Sequence, residues 1–176
     1  MKTLKNISKN LLFDTLLYIL FFIVLSFLLF SFNLMFREWV ILFSALIILF
    51  GLVIGTIQFL LKIKKKSLKR VLITLFIIFL FLSTPILSLL GVFCYKPEHV
   101  VEKDERKYVA YVNGFLQTTV YYYDYKNQFA VGNQKRIVEY YGKGGFDPIE
   151  NKYGYSYNIE RTIYYDENGQ IISITE

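Results

Sequence analysis

The stretch FLSTPILSLLGVFCYKPEHVVEKDERK, Phe81 to Lys107, decides the architecture. As far as Phe93 it is apolar, and from Tyr95 it is dense in charge. Aromatic usage changes at the same point. Fourteen of the seventeen Phe lie at or before Phe93, and fourteen of the fifteen Tyr lie at or after Tyr95. Phe suits a lipid environment, whereas Tyr keeps one polar handle that wants water or a hydrogen-bond partner. The chain therefore divides into a membrane half, 1–93, and a wet half, 94–176.

Working back from Phe93, three apolar segments appear, at about 11–32, 39–61 and 71–93. Each approaches or exceeds the roughly 20 apolar residues that cross a hydrocarbon core as a helix. Only a helix satisfies the backbone there. The basic start (Lys2, Lys5, Lys9) imitates a signal peptide, but the apolar run behind it is long and no A-x-A-like site follows. It is expected to be an uncleaved span. The mean hydropathy of +0.40 over 176 residues comes from this half.

Charge gives the direction. The formal charge is +8 through Phe93 and −2 beyond it. The positive charge sits at the start and in KIKKKSLKR, with Lys62, Lys64, Lys65, Lys66, Lys69 and Arg70. The connection 33–38 holds only Arg37 and Glu38. Cytoplasmic loops carry the Lys/Arg excess, so the N-terminus and the second connection are expected inside. The first connection and the C-terminal tail are then outside, in a multi-pass plasma-membrane protein. The basic loop is also expected to touch anionic inner-leaflet lipid. The tail has no basic stripe to follow a phosphate backbone, so no nucleic-acid partner is expected.

Inside the spans, Gly51 and Gly55 form one G-x-x-x-G, a close-packing signal that fits the first span, the third span or self-association. Thr84-Pro85 predicts a kink in the third span. Asp14 fits the N-terminal dipole of its helix. No Lys, Arg, Glu or His lies at a membrane centre, which argues against a channel, pump or secondary transporter.

Working forward, YKPEHVVEKDERK predicts a stalk over 94–106, and the remainder, 107–176, predicts a small antiparallel β domain. KYVAYV, Asn113-Gly114 and FLQTTVYYYDY predict a hairpin with a two-residue turn. Gln134 to Tyr141 is a further strand, and the glycine-rich segment Gly142 to Gly154 is loop. TIYY-DENG-QIISIT is a second hairpin. Ile163, Tyr165, Ile172 and Ile174 are expected on one side of it, and Thr162, Tyr164, Ser173 and Thr175 on the other. That alternation predicts a sheet buried on one side only. Tyr164 to Ile171, YYDENGQI, resembles one hairpin unit of MORN-type repeats and of the YD-type repeats of secreted toxins. The unit occurs once and hairpin chemistry accounts for it, so no function is carried over.

Chemistry is sparse. Cys94 is the only cysteine, which rules out an internal disulfide. His99 is the only histidine and stands in the predicted stalk, so no zinc set is indicated. Asp124, Glu139 and Asp147 are carboxylates without a sequence relation. No cofactor or small-molecule substrate is indicated, and an enzyme is not expected. The tyrosines Tyr121, Tyr122, Tyr123, Tyr125, Tyr140 and Tyr141 are the candidate recognition surface, because rigid amphipathic Tyr binds at low entropy cost. Faces alternate along a strand, so part of this set must pack the core. Tyr95 suits the headgroup region. The expected function is a membrane-tethered outer-face module that binds protein, with neutralisation of a toxin, in the manner of an immunity protein, as its sharper form. The alternative is an accessory or sensing subunit of a membrane complex, with Gly51, Gly55 and Pro85 as its working contacts. An envelope enzyme ranks last.

Overall fold

The structure is a computed structural model describing residues 10–94, 96–150 and 157–176. Lys2, Lys5, Lys9 and Tyr95 lie outside the described residues. Three long helices come first: α1 (Leu11–Ser31), α2 (Glu38–Leu61) and α3 (Lys66–Cys94). All three are long and apolar enough to cross a membrane. The α1–α2 connection holds a short strand, β1 (Leu34–Phe36). Six strands follow α3: β2 (Glu98–Lys103), β3 (Arg106–Asn113), β4 (Thr119–Tyr125), β5 (Ala130–Tyr140), β6 (Arg161–Tyr165) and β7 (Ile171–Thr175). The chain forms two compact units. One contains the helices, and the other joins Leu28–Glu38 to Phe93–Glu176.

In the helical unit α1 and α2 meet along small residues. A Cβ on Gly51 would collide with the Thr15 side chain, and one on Gly55 would lie 2.9 Å from the Leu12 backbone. The Tyr18 hydroxyl donates to Ser44 Oγ at 3.1 Å, and Thr15 and Ser44 are buried. In a lipid environment, whose tails are as apolar as the helices, close packing and such hydrogen bonds would supply the association. α3 continues through Pro85, with the Ser83 and Thr84 hydroxyls donating back to the Leu80 carbonyl at 3.2 and 2.7 Å. Back-bonding of this kind bends helices.

The sheet is antiparallel throughout, in the order β2-β3-β4-β5-β6-β7. β1 joins it from the other end of the sequence: Met35 stands opposite Val131 at the start of β5. The far half of the same β5 edge, from Ile137, takes β6.

Four expectations change. The predicted stalk contains β2, which turns into β3 over Asp104 and Glu105, both left-handed at φ 51° and 61°. Two positive φ values are what a two-residue hairpin turn needs, and no glycine advertises them here. Asn113-Gly114 makes no such turn. Asn113 pairs with Thr119, and the five residues between are held by the glycine-rich segment: Gly145 N–H donates to Gly114 O, and Thr118 N–H to Lys143 O. At β3 the sheet is buried on both sides, because Tyr108 to Val112 are five consecutive buried residues. Finally, β7 is exposed along its whole length, including Ile172 and Ile174. Ile163 stands opposite Ile174, and a register shift then sets Tyr165 opposite Ile171.

Candidate functional site

The strand registers sort the six candidate tyrosines. Tyr122 lies on one face with Tyr108, Ala110, Val112, Val120 and Ile137, and Tyr141 packs against that cluster. Tyr123 and Tyr125 pack on the opposite face, against Val109, Tyr111 and Val131, with Met35 of β1 beside them. Tyr121 shares that face by alternation, as does Tyr140. The set is therefore divided by the sheet. Tyr111 and Tyr123 meet edge to face at 5.6 Å, while the Arg37 guanidinium stands 5.8 Å over Tyr125 and that of Arg161 4.6 Å over Tyr140.

Tyr122 and Tyr141 converge on Glu139, a carboxylate with 2% of its surface exposed. Their hydroxyls donate to Glu139 Oε2 at 2.6 and 2.9 Å, and Lys103 of β2 pairs with Oε1. Burial, reinforced by the Glu139 carboxylate, raises the pKa of both phenols, so they remain protonated donors. A buried carboxylate is tolerated when paired and hydrogen-bonded, and here both oxygens are engaged. The arrangement fixes three strands, β2, β4 and β5, together.

Asp124 and Asp147 are likewise each taken by a separate partner. Asp124 accepts two bonds from Arg136 at 2.9 and 2.7 Å, which raises the arginine pKa further. Asp147 Oδ2 lies 2.6 Å from His99 Nε2, while Oδ1 accepts the Ile149 and Glu150 N–H groups. His99 thus pins the segment after β5 to β2. Among the described residues no three His, Cys, Asp or Glu side chains come together to hold a metal ion.

Two further sites were not visible as motifs. Arg37, one residue past β1, pairs with Glu98 at the start of β2. Burial first, then the Glu98 charge, raises the Tyr111 pKa beside them. The apolar triplet Leu34-Met35-Phe36 between two spans was the signal, and it is too short to read as a strand. The second site is the β7 edge, where Ile171, Ile172 and Ile174 are 56%, 67% and 53% exposed. In the basic connection, Lys69 Nζ donates to the Leu61 carbonyl at 3.1 Å and caps α2; Lys62, Lys64 and Lys65 precede α3, and Lys66 and Arg70 lie in its first turns.

The chain is thus one of three long apolar helices carrying an antiparallel sheet that borrows a strand from the first inter-helix connection. It matches no protein-family model, no curated protein and no solved structure.

Proposed function

We propose that this is a multi-pass membrane protein whose sheet is held on the outer face of the plasma membrane as a protein-binding module, with the N-terminus cytoplasmic. The loop charges support the direction. The observation that carries the binding role is the β7 edge, an apolar strand whose outer side pairs with no other strand among the described residues. An extended partner strand adds to such an edge through main-chain hydrogen bonds. A photoreactive residue at Ile172, irradiated in intact cells, is expected to give a discrete protein adduct. A residue at Lys64, in the basic connection, should not give the same adduct. Failure to form any adduct at Ile172 would sink the binding role.

The accessory or sensing reading has its own observation. β1 is tied to α1 by two residues and to α2 by one, so the sheet and both helix ends share a covalent strand. Purification in mild detergent tests it: a co-purifying membrane partner supports this reading over the first.

A further inference from the structure

Among the described residues the sheet has three open edges, finished differently. β2 carries Glu98, Glu102 and Lys103, and β1 is three residues long. Charge and shortness are ordinary protections of an edge strand. β7 has neither: Ile171 to Thr175 holds no charge and no proline, all five residues are exposed, and its one protecting irregularity is the register shift opposite Tyr165.

The apolar row that reaches β7 is also incomplete. It runs Tyr111, Tyr121, Val138, Ile163, Ile174 across five strands. Exposure is 4% at Tyr111, 0% at Val138 and 7% at Ile163, then rises to 53% at Ile174. The next strand in this row must bring an apolar side chain to Ile174, together with a free hydrogen-bonding edge.

β7 itself meets both demands. We propose that β7 pairs antiparallel with β7 of a second copy of this chain, about a two-fold axis at Ser173, giving one continuous sheet across two molecules. This rests on the outer-face binding role proposed above. Centring on Ser173 gives the fullest overlap of two five-residue strands. Ile174 then faces the partner's Ile172 on both sides of the axis, and the register shift that sets Ile171 opposite Tyr165 ends the regular ladder beyond them. No like charges are opposed, and the row ending at Ile174 is extended. A ladder this short is weak alone, but two chains anchored in one membrane meet at raised effective concentration.

Single cysteines placed at 171, 172, 173, 174 and 175 in the full chain, in a Cys94→Ser background, test this in membranes under mild oxidation. Only the residue on the axis faces its own copy, at a Cα separation a disulfide accepts. Chain dimers are expected to peak several-fold at Ser173→Cys, and co-expressed Ile172→Cys and Ile174→Cys chains should crosslink to each other. Ile174→Lys should abolish the Ser173→Cys dimer. Absence of dimer at every position, or equal yield at all five, overturns the proposal. An Ile172 photo-adduct to a different protein without the Ser173→Cys dimer overturns the second copy and keeps the binding role; loss of both signals overturns both.

Discussion

Single atoms decide the cost of Glu139. Its carboxylate is buried in the sheet and relies on two phenols and one ammonium group. Tyr122→Phe removes a donor and leaves Oε2 underpaired, an effect on the order of 1–3 kcal/mol. Denaturant unfolding of the detergent-solubilised protein should show this loss. The same phenol sets a pH limit. Its pKa is raised in the fold, so its contribution is full below the ordinary tyrosine value and is lost as pH climbs above it. Above about pH 10, stability should fall by about 1.4 kcal/mol per pH unit for each tyrosine kept protonated, and Tyr122→Phe should remove one such increment from the slope. An unchanged slope would mean that Tyr122 ionises freely. In the helices, Gly55 is the corresponding point. Gly55→Val puts atoms against the Leu12 backbone, which cannot swing aside as a side-chain end would. Overpacking of this kind costs about 1–3 kcal/mol, and the thermal midpoint in detergent should drop, whereas Gly91→Ala, whose Cβ meets nothing, should not lower it.

At the scale of elements, β1 controls whether the C-terminal strands complete a domain. Val131 is fully buried with Met35 opposite it and Tyr125 on the other side. A fragment of residues 96–176 lacks that cover and the Arg37–Glu98 pair. It should unfold at lower denaturant than the same fragment with residues 33–37 fused ahead of it. Within the full chain Met35→Ala should cost about 2 kcal/mol, at the lower end for core truncations because Met35 is half-buried. Equal stability of the two fragments would show that β1 is dispensable. The same elements show what could be read beforehand. Helices α1 to α3 and the β6–β7 hairpin follow from continuous hydropathy and local turn chemistry. β1 does not, because three residues gain strand character only from β5, nearly a hundred positions away. β2 was obscured because its turn uses left-handed Asp and Glu instead of glycine. The Glu139 network joins β2, β4 and β5, so no spacing in the sequence announces it, and the tyrosine set was divided correctly only by registers.

For the molecule as a whole, β1 also bears on topology. The first connection and the C-terminal strands are separated in the chain by α2 and α3. If only one of those two helices crossed the bilayer, Leu34–Phe36 and Ala130–Gly132 would lie on opposite sides and could not pair. Both helices must cross, or neither, and each is long and apolar enough to do so. The sign then rests on the basic connection between them, Lys62 to Arg70, against a first connection with no net charge. Labelling with a membrane-impermeant maleimide in intact cells, in a Cys94→Ser background, tests pairing and sign together. Phe32→Cys and Asn168→Cys should both react, and Lys64→Cys should react only after permeabilisation. Reaction at Phe32→Cys but not at Asn168→Cys would contradict the shared sheet. Reaction at Lys64→Cys alone would preserve the sheet and reverse the direction, placing the β7 edge in the cytoplasm.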